Sequence, residues 1–493
     1  MNLTTRLKKA GALLLGSPFE SSNQSSRRAR VPGSAPTDYR HEYQGWTRLE
    51  TVKKSRYLTK NSGLHREQRD LNILYGVGAD GLWPKPHVSD LEWVKDATQL
   101  FREWSIRADV TNRFSFVDVQ KLCSAAIDTD GEIFVVKVHN RATGECRLQL
   151  LETHRVGNFQ INDDPDRYID GIKVGPTGAP THIRVLQNDG TGKDVRFQHV
   201  MHLFDPESPT AYRHAPAGTH GLLHGLDEIE LLALEKHAVK DNSSIVRVLQ
   251  TQSGELDADG DFGPDGFDSD GNTDPNKLAN IVGGRTVAIY PHEKLEPYES
   301  QRPSPTFNGF LEHLRRDSSL GRSPYEFAVD PTDATGPAIR LIVAKAQRRF
   351  KSRTELLSNR LIRPTWFYVI GDAIDKGQLP AMKGWSNVSI TPPREITVDA
   401  GRESEANRRD VAAGLKLPTT SYEETGQDFL DSMERRADLI KAVEAIAKIK
   451  DVDPEKLYDF TVASGAEQAI ASVAGTAPSG GDSKAEGKDS KKK

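Results

Sequence analysis

Between about Ala338 and Arg363 the chain contains neither glycine nor proline, and its side chains repeat with the period of a helix. At the usual helical rise this stretch spans about 39 Å. No other feature constrains the fold as strongly. Val343, Ala346, Phe350, Leu357 and Leu361 form an apolar stripe along it. Lys345, Arg349, Arg353, Arg360 and Arg363 fall beside that stripe, within an arc of roughly 80°. Between Ala344 and Arg363 there are seven basic side chains and one acid. Opposite charges four residues apart are nearly absent, so the arginines have no local neutralisation. Pro364 lacks an N–H and crowds the carbonyl of Arg360, which predicts a kink or break there. Most charge runs are solvated faces, yet an uncompensated one also suits a polyanion. The residues leave both open.

The positive charge is local, because the 493-residue chain has a net charge of −4. That length allows two to four domains. Apolar residues make up 36 % and the mean hydropathy is −0.58. No apolar run approaches the roughly 18 residues that a membrane helix needs. "RLKKAGALLLGS" imitates a signal peptide, but its apolar patch is short and the cytosolic reading is preferred. Cys123 and Cys146 are the two cysteines, without disulfide or zinc spacing, which points to a reducing compartment.

The pattern along the chain is that of a mixed α+β protein with a helical second half. Residues 17–36 are Pro/Ser-rich and read as an arm. A helical stripe runs over 90–108, and two apolar runs around "NRATGE" predict a β-hairpin over 131–152. Strand-like segments follow at 169–175, 181–187 and 195–204, then a helix over 226–249. Residues 253–276 carry eight acids and no base and read as a solvated insertion. A strand returns at 285–290. Helices dominate 307–376, interrupted at 321–337, and "NVSITPP" precedes helices at 401–414 and 428–450. A basic, Gly/Ser-rich tail closes the sequence.

Three motifs offer chemistry and none holds up. Gly76, Gly78 and Gly81 have dinucleotide-fingerprint spacing, but the prolines of "LWPKPHV" forbid the helix that must follow. Asp257, Asp259 and Asp261 alternate like calcium ligands, yet the EF-hand frame puts Phe262 where glycine is needed and Asp268 where glutamate is needed. His199, His202, His214, His220 and His224 cluster in sequence, but strand alternation sends residues three apart to opposite faces. No nucleophile elbow, Walker loop or Cys/His pair is present. Expected catalytic residues, metals and cofactors are therefore none.

The order of segments resembles the portal proteins of tailed bacteriophages, specifically the lambda-type family, over about residues 60–430. The similarity rests on "LNILYGVGADGLWPKP", "DGEIFVVKV", "LQLLETHRV", "DGIKVGPTGAP" and "HVMHLFDPESP". It continues through "RHAPAGTHGLLHGLDEIELLALEKHAVKD", "FLEHLRRDSSLGRSPYEFAVDP", "RRFKSRTELLSNRLIRPTWFYVIGDAIDKGQLP" and "ITVDAGRESEANRRDVAAGLKLPTTSYEETGQDF". One departure is that "RHAPAGTHG" stands where the family shows a tight Arg-Gly.

The resemblance implies a structural part and no enzyme: a ring, usually of twelve copies, at one capsid vertex. DNA is packaged through its channel by a separate terminase and later ejected. By this likeness residues 1–40 are a flexible arm and 41–306 an α/β wing. Residues 307–320 are a first stem helix, 321–337 a clip, and 338–378 a second stem helix with its kinked continuation. Residues 379–400 are a channel loop and return strand, 401–460 wing and crown helices, and 461–493 a tail. Implied channel-facing or inter-subunit residues are Lys345, Arg349, Arg353, Arg360 and Arg363. Met382, Lys383 and Trp385 belong to the flexible channel loop, and Arg322, Tyr325, Glu326 and Asp330 to the clip. Implied partners are further copies of the chain, double-stranded DNA, the large terminase subunit, a head–tail adaptor, and major capsid or scaffolding protein, with no membrane. The implied location is the virion, after assembly in the host cytoplasm. Two other readings are kept: a non-enzymatic nucleic-acid-binding protein, and a metal-dependent hydrolase using the His199–His224 cluster.

Overall fold

The computed structural model describes residues 37–140, 144–157, 168–250, 285–289, 305–322, 324–329, 335–398, 400–427 and 429–454. Residues 1–36 of the expected arm, the acidic stretch 253–276 and the tail 461–493 lie outside them. The chain divides into two units, Met1–Ile390 and Thr391–Lys493.

The first unit is organised by one strand buried on both faces. β2 (Glu132–His139) lies between β3 (Cys146–Glu152) and β8 (Val200–Phe204), antiparallel to both. Side chains alternate across a strand, so Ile133 and Val135 enter one core while Phe134 and Val136 enter another. This double burial explains the almost unbroken apolar run "IFVV". The second core is closed by an antiparallel sheet of β4 (Tyr168–Ile169), β5 (Ile172–Val174), β6 (Pro180–Leu186) and β7 (Gly192–Arg196), which contributes Ile172, Ile183 and Val185. A single strand was expected over 195–204. A short 3-10 turn at Phe197–His199 divides it, and the halves join different sheets.

Four helices follow one another around the other face of β2, the last two packing on it and the first two packing against the fourth. They are α1 (Gly45–Asn61), α2 (Gly63–Gly76), α3 (Leu91–Ser105) and α4 (Phe116–Asp130). Periodicity did not single out α1, because its buried side includes Arg48, Ser55 and Thr59. α4 begins with a Ser115–Asp118 capping box. It ends at Gly131 (φ 88°), where a Cβ would lie 2.3 Å from the His214 carbonyl, so only glycine fits. After β8, α5 (Leu222–Ser244) begins four residues before and ends five residues before the helix expected over 226–249. "IVRVLQ", suited to a strand by its β-branched residues, forms β9 (Ile245–Gln250), parallel to β10 (Arg285–Ile289).

The long rod forms as α7 (Gly336–Leu357), following α6 (Pro305–Ser319). It continues through a π-turn at Ser358–Ile362 into α8 (Arg363–Asp375). The Arg363 N–H donates to the Ser358 carbonyl, five residues back. Of the kink or break expected at Pro364, the helix shows a π-turn in place of a break, a wider turn that relieves the crowding at the Arg360 carbonyl. β11 (Val388–Ile390) then returns to pair antiparallel with β1 (Pro84–Pro86).

The second unit consists of α9 (Ala400–Ala412), α10 (Pro418–Glu424) and α11 (Phe429–Lys450). Lys416 pairs with Glu424 and donates to Asn407 at 2.8 Å, and Tyr422 meets Phe429 edge-on at 5.4 Å.

Candidate functional site

The basic side chains of the rod separate into anchored and exposed groups. Arg353 is the deepest: it donates to Asp128 at 2.6 Å, and the two side chains are 4 % and 2 % exposed. Asp128 also accepts from Asn72 at 2.9 Å, so one carboxylate ties together α2, α4 and α7. The expectation that Arg353 meets DNA or a neighbouring subunit gives way to an intrachain pair, in which the Asp128 carboxylate offsets the cost of burying the guanidinium. Arg349 Nε donates to the Arg322 carbonyl at 3.0 Å, and its Nη2 reaches the Gly321 carbonyl. Arg360 lies 3.7 Å over the Phe204 ring, and burial moves its pKa down from the ordinary value, with Asp205 opposing. Lys345 and Arg363 are exposed, and so are Arg348 and Lys351, which the expected arc left out.

A buried charged network joins the two cores. Glu132 accepts from Arg213 Nε at 2.6 Å, Thr153 Oγ1 at 2.7 Å and His202 at 2.9 Å. Arg213 also donates to the carbonyls of Thr153 and Val156, each at 2.9 Å. Beside it Arg48 pairs with Asp170 at 2.5 Å. Burial pushes the Glu132 carboxyl up, but Arg213 and His202 outweigh it and hold it well below the carboxylate range. Asp170 is held down the same way, by Arg213 and Arg48 against burial. Arg213 and His214 open the "RHAPAGTHG" segment that departs from the family pattern, and both are buried.

The five histidines do not converge. His199 and His220 are exposed, while His202 bonds Glu132. His214 stacks on Phe204, 3.6 Å between centroids, and burial pushes it down to about 3. His224 lies 3.2 Å from Asp317. The hydrolase reading loses its site.

The implied channel loop is pinned to the first unit. Trp385 stacks on Phe367 at 5.0 Å, and its carbonyl accepts from Trp366 Nε1 at 3.0 Å. Met382 packs against the core, and the Pro380 carbonyl accepts from Trp93 Nε1 at 2.9 Å. Lys383 is exposed. These contacts set Met382 and Trp385 of the expected flexible channel loop against the apolar surface of the first core and α8. In the implied clip, Arg322 is 3 % exposed and donates to the Ala217 carbonyl at 2.8 Å, which removes it as a contact for an outside partner. Tyr325 lies under Arg316 at 5.6 Å, and Glu326 is 3.6 Å from the same arginine. Asp330 lies outside the described residues.

The family model described as phage portal protein, lambda family, matches residues 25–353, more than half of the chain. The chain belongs to that family. No curated protein matches it. Among solved structures it is similar to a chain in the virion of a native gene transfer agent particle, with 12 % identity, a TM-score of 0.42, and 78 % of this chain and 94 % of that chain covered. A chain in the neck of the empty particle, computed with C6 symmetry, gives 12 % identity and 0.42, covering 78 % and 95 %. One in the neck of the native particle, computed with C12 symmetry, gives 13 % and 0.41, covering 78 % and 94 %. No helix among the described residues is long and apolar enough to cross a membrane.

Proposed function

We propose that this portal-family chain is the repeating subunit of a ring, twelve copies by the family's habit, set at one vertex of a phage-like capsid. Double-stranded DNA passes through the ring during packaging by a terminase and again at ejection, and a head–tail adaptor attaches to it. The ring does no catalysis of its own. Membership of the portal family over residues 25–353 carries this reading. The rod of α7, π-turn and α8 suits it physically: Arg349, Arg353 and Arg360 hold the rod to its own unit, while Lys345, Arg348, Lys351 and Arg363 present positive charge outward. Outward charge on a closed ring can meet phosphates or carboxylates of the next copy.

Negative-stain imaging of the purified protein tests the proposal. Annular particles with a central hole are expected. Monomers or dimers at every concentration and salt, even beside capsid protein, would refute it.

A further inference from the structure

The turn end of the β2–β3 hairpin meets α8 at three side chains of different chemistry. His139 ends β2 and Cys146 begins β3, and the two are direct partners in the strand register. Asp372 projects toward them from the last turn of α8, with His139 Nε2 3.2 Å from Asp372 Oδ1. One ligand atom from each residue lies within 4.8 Å of the other two, and among the described residues no second group of three His, Cys, Asp or Glu does this. Tetrahedral bonds of about 2.0–2.3 Å to N, O and S place donor atoms roughly 3.3–3.7 Å apart. The trio therefore needs only small side-chain adjustments to close on one ion.

We propose that His139 Nε2, Cys146 Sγ and one Asp372 oxygen form a three-ligand site for a divalent transition metal, zinc foremost. An imidazole, a thiolate and a carboxylate are a donor set that zinc accepts, whereas calcium and magnesium take oxygen ligands. His139 is 47 % exposed, which gives the ion a path in and leaves a fourth position for water. Lys376 bonds the other Asp372 oxygen and the Gly144 carbonyl. It fixes the carboxylate's direction, while its charge opposes the ion and weakens the affinity. On binding, the Cys146 thiol proton leaves to solvent and an S–metal bond replaces it. The ion would then add coordination to the apolar packing and hydrogen bonds that already hold the hairpin to the end of the rod.

The test uses the full-length protein, stripped of metal by a chelator and titrated with Co²⁺ and then with competing Zn²⁺. One ion per chain should bind with a thiolate-to-cobalt absorption band, and Zn²⁺ should abolish that band. Cys146→Ser should remove the band. Cys123→Ser should keep it, because Cys123 is buried in the core and belongs to no such group. His139→Ala alters an exposed side chain, so the fold should be retained and the affinity should drop on the order of a hundredfold, at least the effect of removing a residue that merely supports a ligand. Absence of the band in the parent protein overturns the site. So does a His139→Ala protein, folded by circular dichroism, that binds as tightly as the parent.

Discussion

In the unit Met1–Ile390 even charged side chains are buried, with Arg213 1 % and Glu132 0 % exposed where they meet. In Thr391–Lys493 large apolar side chains face outward, with Leu415 82 %, Leu417 67 % and Ile449 78 % exposed, and there is little core behind them. Ala447 is the one buried hydrophobic residue there among the described residues. Among the described residues the first unit thus carries its stability inside itself, in two cores and in the buried pairs of Arg48, Arg213 and Arg353 with their carboxylates. The second leaves much of its apolar surface exposed among the described residues. All six tryptophans lie in the first unit, so tryptophan fluorescence reports its unfolding alone.

The largest effect should come from breaking the buried network. Glu132→Ala leaves Arg213 charged, buried and without its carboxylate, at a cost of roughly 3–5 kcal/mol. Asp128→Ala should act similarly through Arg353. Urea unfolding followed by tryptophan fluorescence measures this. A change below about 0.5 kcal/mol would show that the first unit does not depend on its internal charges.

Per pH unit, acid should come next in size. Burial pushes His65 and His214 both down to about 3, from a reference of 6.5. Both are neutral in the folded chain, so the unfolded chain binds more protons between those values. Their contribution is complete above pH 6.5 and is lost as pH falls toward 3, by about 1.4 kcal/mol per pH unit for each histidine. Replacing His214 with Leu should flatten the slope of stability against pH between 6 and 4 by one such increment. An unchanged slope would mean that His214 does not set acid stability.

These contrasts mark what the sequence could convey. The β2–β3 hairpin was legible because "IFVV" is an apolar run with a turn behind it, and α3 because its stripe is regular. The rod was legible as a helix, and the order of segments as a portal. The partners of its arginines were not legible. Asp128 precedes Arg353 by 225 positions, and only folding brings them together. An arc counted along one helix also cannot show that α2, α4 and β8 cover half of it. The π-turn escaped because proline signals crowding without saying how the preceding backbone relieves it. His139, Cys146 and Asp372 come from three elements and have no spacing to recognise.

In the second unit, effects on folding and on assembly should separate. Leu415→Asp with Ile449→Asp removes exposed apolar surface, so the fluorescence unfolding of the first unit should move by less than about 0.5 kcal/mol. Ring formation, if this surface is covered between copies, should be abolished. Rings that persist in the double variant, seen by negative stain, would place the covered surface elsewhere.

The smallest effect on folding should come from the exposed cations of the rod. Replacing Arg353 together with its neighbours would confuse the outcome, because breaking its pair with Asp128 unfolds α7 from α4 whatever DNA does. Lys345→Gln with Arg363→Gln avoids this, since both side chains are exposed. If they meet phosphates, rings should form normally while DNA retention weakens, and the slope of log affinity against log salt should become shallower by about 0.9 for each phosphate no longer neutralised. If they meet carboxylates of an adjacent copy, the DNA slope should stay put and ring assembly should become salt-sensitive at lower ionic strength. Normal rings with normal DNA retention would assign both residues to the solvated face that most charge runs form.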